Sequence, residues 1–135
     1  MKKSTLLKIE RCAALQDMGI ADVVRGNRFR ENLSAYMTAQ REDRAQIRAS
    51  YEAMKKHGGA KGYKLPAHAV DRVIDLSVEE FGEEYLRIIT HKSDRPVAER
   101  QYIFQLCRQA YNLTVAQIVC EEFPELRGEL LPTES

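Results

Sequence analysis

The chain has 135 residues, the length of one domain or of one domain with an extended arm, and its 44% hydrophobic and 30% charged residues are ordinary for a soluble globular protein and too apolar for a disordered chain. We expect neither a membrane protein nor a secreted one, because no apolar run reaches the roughly 18 residues of a membrane span and no signal-peptide core follows the basic start. The three cysteines (Cys12, Cys107 and Cys120) have no paired spacing, which predicts neither a disulfide framework nor a zinc site and favours a cytoplasmic location.

The formal net charge of +1 hides two unlike halves. Residues 1–62 carry 13 basic and 7 acidic side chains, whereas residues 63–135 carry 8 basic and 13 acidic ones. Such asymmetry predicts either a charged partner or pairing between the halves. The boundary is rich in glycine and ends at Pro66, so we interpret residues 58–66 as a hinge between a basic helical region, 1–57, and a second domain, 67–124.

Helical periodicity runs through the first region. One helix is predicted to begin after Ser4 and end at Gly19, and a short helix over residues 20–24 ends at Gly26. A long helix is predicted over residues 28–56, where nothing breaks the pattern. Its apolar face is interrupted at Gln40, Asp43 and Arg44.

The second region carries clearer signals for helix ends. Ser77 and Glu80 form a capping box, preceded by a helix that presents Val70 and Val73, and residues 93–96 predict another helix start. A second capping box at Thr114 opens a helix that Pro124 limits, followed by an acidic tail over residues 125–135 that we expect to fray. The predicted fold class is all-α, a helical N-terminal arm with one long helix followed by a helical cluster.

The sequence offers little for catalysis. None of the three histidines lies at metal-ligand spacing from other ligands, and the glycines of the hinge lack the ending of a phosphate loop. The carboxylates at positions 79, 80, 83 and 84 fit the solvated face of a helix. We therefore expect no enzyme activity, no cofactor, no metal and no small-molecule substrate.

A row of cations lies along one flank of the predicted long helix. Its members are Arg30, Arg41, Arg48 and Lys55, with Arg44 beside them. Such a row suits a DNA phosphate backbone. The alternatives are a solvated helix face or pairing with the acidic half.

Residues 69–123 resemble the C-terminal DNA-binding domain of the bacterial replication initiator DnaA. The resemblance rests on the apolar stretch 70–81, the segment 85–93, the Arg100-Gln101 pair and the order of Leu106, Arg108, residues 112–114, Ile118 and residues 122–123. It implies a Trp-repressor-like helical cluster with a helix-turn-helix, and DNA contacts from Lys92, Arg95 and Arg100. The acidic residues 124–132 stand where that family opens its recognition helix.

Two hypotheses follow from these patterns. The first is a small non-enzymatic protein of helix-turn-helix type, of the kind that phages or mobile elements encode, which binds double-stranded DNA through the cations named above. The second is a helical adaptor that forms a homo-oligomer or binds a protein partner without DNA.

Overall fold

The computed structural model describes residues 19–45 and 67–131, together with positions 49 and 53. No strand occurs among these residues, which confirms the all-α class. The elements in chain order are α1 (Ile20–Arg25), α2 (Asn27–Glu42), α3 (Ala67–Val73), α4 (Val78–Ile89), α5 (Val97–Glu122), a 3-10 turn (Pro124–Leu126) and α6 (Arg127–Leu130). The helix predicted after Ser4 and the hinge lie outside the described residues.

Helices α1 and α2 form a bent pair joined at one glycine. Gly26 ends α1, and its amide donates to the Val23 carbonyl oxygen at 3.1 Å. The residue then serves as the N-cap of α2. The predicted apolar face of α2 is confirmed, since Phe29, Leu33 and Met37 are buried.

The prediction of one uninterrupted helix over residues 28–56 is wrong. Helix α2 ends at Glu42, and Asp43 adopts φ −93° and ψ 9° before helical backbone returns at positions 44 and 45. A continuous helix would extend the buried stripe of Leu33 and Met37 to Gln40 and Arg44, which are polar. The end at Glu42 avoids burying those polar side chains.

The capping box at the start of α4 is confirmed. The Ser77 hydroxyl oxygen accepts a hydrogen bond from the Glu80 amide at 3.1 Å. At the other end the amides of His91 and Lys92 donate to the carbonyl oxygens of Ile88 and Arg87, at 3.2 and 2.8 Å. His91 has φ 59°, the left-handed conformation that such a helix end requires and that glycine adopts most easily.

The longest helix lies in the second half of the chain. The prediction of two helices separated before Thr114 is wrong, because α5 runs without a break through 26 residues. The Thr114 hydroxyl donates to the Ala110 carbonyl oxygen one turn earlier, at 2.7 Å, and caps no helix. The start predicted over residues 93–96 is up to three residues early, since Pro96 is the N-cap and Val97 the first helical residue.

Helix α5 is the centre of the fold. Both halves of the chain contribute to its main core cluster, where Phe29 and Leu33 of α2 meet Phe81 of α4 and Ile103 of α5. Apolar side chains therefore lie on several sides of α5, as expected of a helix that packs against neighbours on more than one face.

The segment after α5 packs against the fold as far as Leu131, contrary to the expectation of a frayed tail. Pro124 ends the helical run as predicted. Leu130 is buried against Val115 and Val119 of α5, and Leu126 and Leu131 pack beside it. Leucines spaced among the acidic residues of this segment give it an apolar face, and burial of that face holds it down.

Candidate interaction surface

Two of the arginines predicted to bind DNA, Arg30 and Arg44, form ion pairs within the chain. Arg30 forms an exposed ion pair with Glu79 of α4, and the Arg44 guanidinium lies 3.9 Å from the Asp71 carboxylate of α3. Two further pairs cross between the halves, Arg28 with Glu121 at 2.9 Å and Arg25 with Glu83 at 3.7 Å. The opposite charges of the halves thus meet inside one molecule.

Arg41 has a structural role at the end of α3. Its Nε donates to the Ile74 carbonyl oxygen at 2.8 Å and one terminal nitrogen donates to the Leu76 carbonyl oxygen at 3.2 Å. Carbonyls that follow a helix C-terminus have no partner within the helix, so Arg41 caps α3 from a distant part of the chain. Burial raises the pKa of Tyr102 to about 12, and the charges of Arg41 and Arg44 act in the opposite direction.

The remaining two cations of the row, Arg48 and Lys55, lie outside the described residues. The described residues contain 12 basic and 16 acidic side chains, so this helical body carries a formal net charge of −4. Residues 46–66 hold five basic side chains and one acidic one. The basic surplus of the first half is therefore located mainly in residues outside the described body.

The loop between α4 and α5, expected to contact DNA, is tied down by a network of buried carboxylates. Glu84 and Glu99 are only 5% and 3% exposed. Arg95 reaches both, with nitrogen–oxygen distances of 3.6 Å to Glu84 and 3.4 Å to Glu99. The Ser93 hydroxyl donates to Glu84 at 2.5 Å and Arg87 donates to it at 2.8 Å.

This network keeps Glu84 ionised. Burial opposes its ionisation, but the hydrogen bonds from Ser93 and Arg87 and the charges of Arg95 and Arg87 outweigh that effect, and the pKa of the carboxyl lies below its ordinary value. Arg72 of α3 adds a second cation beside Glu99, at 3.6 Å. Arg95 thus holds the loop to α4 and α5.

Two of the residues predicted to contact DNA, Lys92 and Arg100, have no ion pair among the described residues. Lys92 is exposed, and Arg100 is half-buried, with a buried Nε that has no hydrogen-bond partner there. Both lie near the beginning of α5.

The same end of α5 carries the most exposed large apolar side chains in the described part of the chain. Val97 is 57% exposed and Phe104 is 40% exposed. Together with Gln101, Arg108 and Tyr111 they follow a spacing of four, three, four and three residues, which places all five on one flank of the helix. We call this set, Val97, Gln101, Phe104, Arg108 and Tyr111, the open strip.

The open strip rests on an aromatic support. The Phe104 ring lies 5.8 Å from the Tyr85 ring of α4, between centroids, and the Arg108 guanidinium lies 5.4 Å from the centre of the Tyr111 ring. Burial raises the pKa of Tyr85, with the positive charge of Arg108 acting in the opposite direction. These contacts hold Phe104 and Arg108 in defined positions at the surface.

Sequence patterns did not identify the open strip, because apolar residues such as Val97 and Phe104 at helical spacing are equally consistent with a buried core position. Its 4-3-4-3 spacing was visible in the sequence, but only the packing shows that the opposite flank of α5 contacts the core.

The described residues include no group of three or more His, Cys, Asp or Glu side chains placed to hold a metal ion. None of the described helices is long and apolar enough to cross a membrane. Comparison of the chain with protein-family models, curated proteins and solved structures gives no match. The resemblance to the DnaA domain stays a prediction.

Proposed function

We propose that this protein is a non-enzymatic helical adaptor that acts by binding another protein. The observation that carries the proposal is the open strip, a flank of the central helix on which Val97 and Phe104 are exposed. Rigidly held aromatic and arginine side chains are the groups that dominate the binding energy of protein interfaces. The charge of the described body also favours this function, since a net charge of −4 repels a polyanion.

The paired state of the predicted DNA-contact residues supports the same conclusion. Arg30, Arg44 and Arg95 are bound to carboxylates and Arg41 to backbone carbonyls. To contact phosphates they would first have to give up these partners.

Site-directed photo-crosslinking tests the proposal. A benzophenone amino acid is placed at one of three exposed positions on different faces, Thr38, Gln101 or Glu125. We expect a protein adduct from at least one position in cells, identified by mass spectrometry and reproduced with the two purified proteins. Absence of adducts at all three positions, with the chain recovered on nucleic acid, would contradict the proposal.

DNA binding is the second candidate, favoured by the basic composition of residues 46–66. It predicts affinity for any duplex that falls steeply with salt. Reversal of charge at Arg48 and Lys55 should weaken this affinity, whereas reversal at Glu122 should not. A fluorescence anisotropy titration at low salt that detects no duplex binding rejects this candidate.

A further inference from the structure

We propose that the open strip is the docking site for an acidic amphipathic helix of another protein. This inference rests on the proposed adaptor function and names the partner's chemistry. A 4-3-4-3 strip on an exposed helix flank is the surface on which a second helix packs its own apolar stripe. From Val97 to Tyr111 the strip is about 21 Å long, at 1.5 Å per residue, or four helical turns.

The charge around the strip selects an acidic partner. Arg108 lies within it, while Arg100 and Lys92 lie near its beginning. Between Arg100 and Cys120 the helix carries no acidic side chain, and Glu99 is buried and paired with Arg72 and Arg95. The rest of the described body is acidic, so an acidic helix is attracted to this flank and repelled elsewhere.

The chain itself covers the continuation of this flank beyond Tyr111 with one of its own segments. One helical turn beyond Tyr111, Val115 continues the same spacing, and it is buried in a cluster with Leu130. Leu130 belongs to a segment with leucines at 126, 130 and 131 and glutamates at 125 and 129. A leucine-bearing acidic segment thus covers the second half of the flank, while the first half is open.

Two other occupants fit less well. A second copy packed antiparallel on the strip would bring the Arg100 and Arg108 side chains of both copies into one interface, where their like charges repel. A nucleic-acid duplex would meet Phe104 and Val97 with few apolar groups, because its accessible surface is mostly phosphate, sugar and polar base edges.

A designed peptide pair tests the proposal. The probe is a labelled peptide of about three heptads with leucine at the seam positions and glutamate at the flanking ones. The control peptide has lysine in place of glutamate. With the full chain, anisotropy should show binding of the glutamate peptide and affinity at least about tenfold lower for the lysine peptide.

A negative charge added to the strip distinguishes a loss of charge recognition from damage to the fold. Gln101→Glu, at an exposed position, should weaken binding of the glutamate peptide and strengthen binding of the lysine peptide. Damage to the fold would weaken both. Thr38→Glu adds the same charge to the exposed face of α2 and should change neither. Phe104→Ala should lower the affinity for the glutamate peptide by about tenfold. Circular dichroism is the control for folding.

Several results would overturn the inference while leaving the adaptor function standing. These are equal affinity for the two peptides, no effect of Gln101→Glu, or a dimer of the chain alone that Phe104→Asp dissociates in sedimentation. Displacement of the glutamate peptide by a DNA duplex would overturn it in favour of the nucleic-acid reading. Protein adducts at Thr38 or Glu125 but not at Gln101 would place the adaptor's partner elsewhere.

Discussion

The ion pairs around Glu84 and Glu99 differ from those between α2 and its neighbours in the burial of the carboxylate. Glu84 and Glu99 are almost inaccessible to water, whereas Glu121 and Glu83, the partners of Arg28 and Arg25, are more than half exposed. A buried carboxylate that loses its cation stays desolvated, while an exposed one regains water. Similar distances therefore correspond to different energies.

The largest effect should come from Arg95. Arg95→Ala removes the cation shared by Glu84 and Glu99 but leaves Arg87 beside the first and Arg72 beside the second, and we expect it to lower the free energy of unfolding by about 2 kcal/mol. Urea denaturation measures the loss. Arg25→Ala, which breaks an exposed pair, is the matched control and should cost much less. Equal losses in the two variants would show that burial does not separate the two sets.

The same network should make stability depend on pH. Because the pKa of Glu84 is lowered in the folded protein, its contribution is present above the ordinary value of 4.5 and is lost as the pH falls through the folded pKa. Between about pH 7 and pH 3 the urea midpoint should fall less steeply in Glu84→Gln than in the unmodified chain. Parallel pH profiles would contradict this assignment.

The loss of stability on replacing Arg41 should lie between the losses for the buried and the exposed ion pairs. Arg41→Ala removes two hydrogen bonds to carbonyl oxygens after α3, and we expect it to cost about 1 kcal/mol by thermal unfolding. Arg41→Lys should recover only part of that loss, since one ammonium group does not match the fork that reaches both carbonyls. Full recovery of stability in Arg41→Lys would show that the positive charge, and not the two-pronged hydrogen bonding, is what stabilises the end of α3.

The smallest effect is expected for an exposed pair. A double-mutant cycle on Arg28 and Glu121 should give a coupling energy of about 0.5 kcal/mol. The coupling should fall further in high salt, because solvent ions screen exposed charges. A coupling as large as that of the buried network would remove the distinction between the two sets.

Contacts between the two halves of the chain determine which of the predicted DNA-binding residues are paired. Spacing alone placed Arg30 and Arg41 on one flank of the predicted long helix, with Arg44 beside them. Their neighbours, however, are Glu79, Asp71 and the carbonyls after α3, which come from the other half of the chain. No local pattern reveals such neighbours because they lie more than 25 residues away.

Helix ends follow a similar division. Gly26, Ser77 and Pro124 act through local backbone geometry and hydrogen bonding, so they were predicted correctly. Thr114 carries the same capping pattern as Ser77, yet it lies inside α5. There Val115 and Val119 gain more from continued burial along the helix than a cap at Thr114 would supply.

The sequence by itself determined the all-α class, the apolar faces of α2 and α3, and several helix ends, because these depend on periodicity and on interactions within one turn. It also determined the opposite charges of the halves. Only the tertiary structure decided that these charges pair with each other, that α5 is one continuous central helix, and that its first half keeps an open flank. Those outcomes depend on which distant surfaces compete for burial, and that competition is settled when the helices pack together.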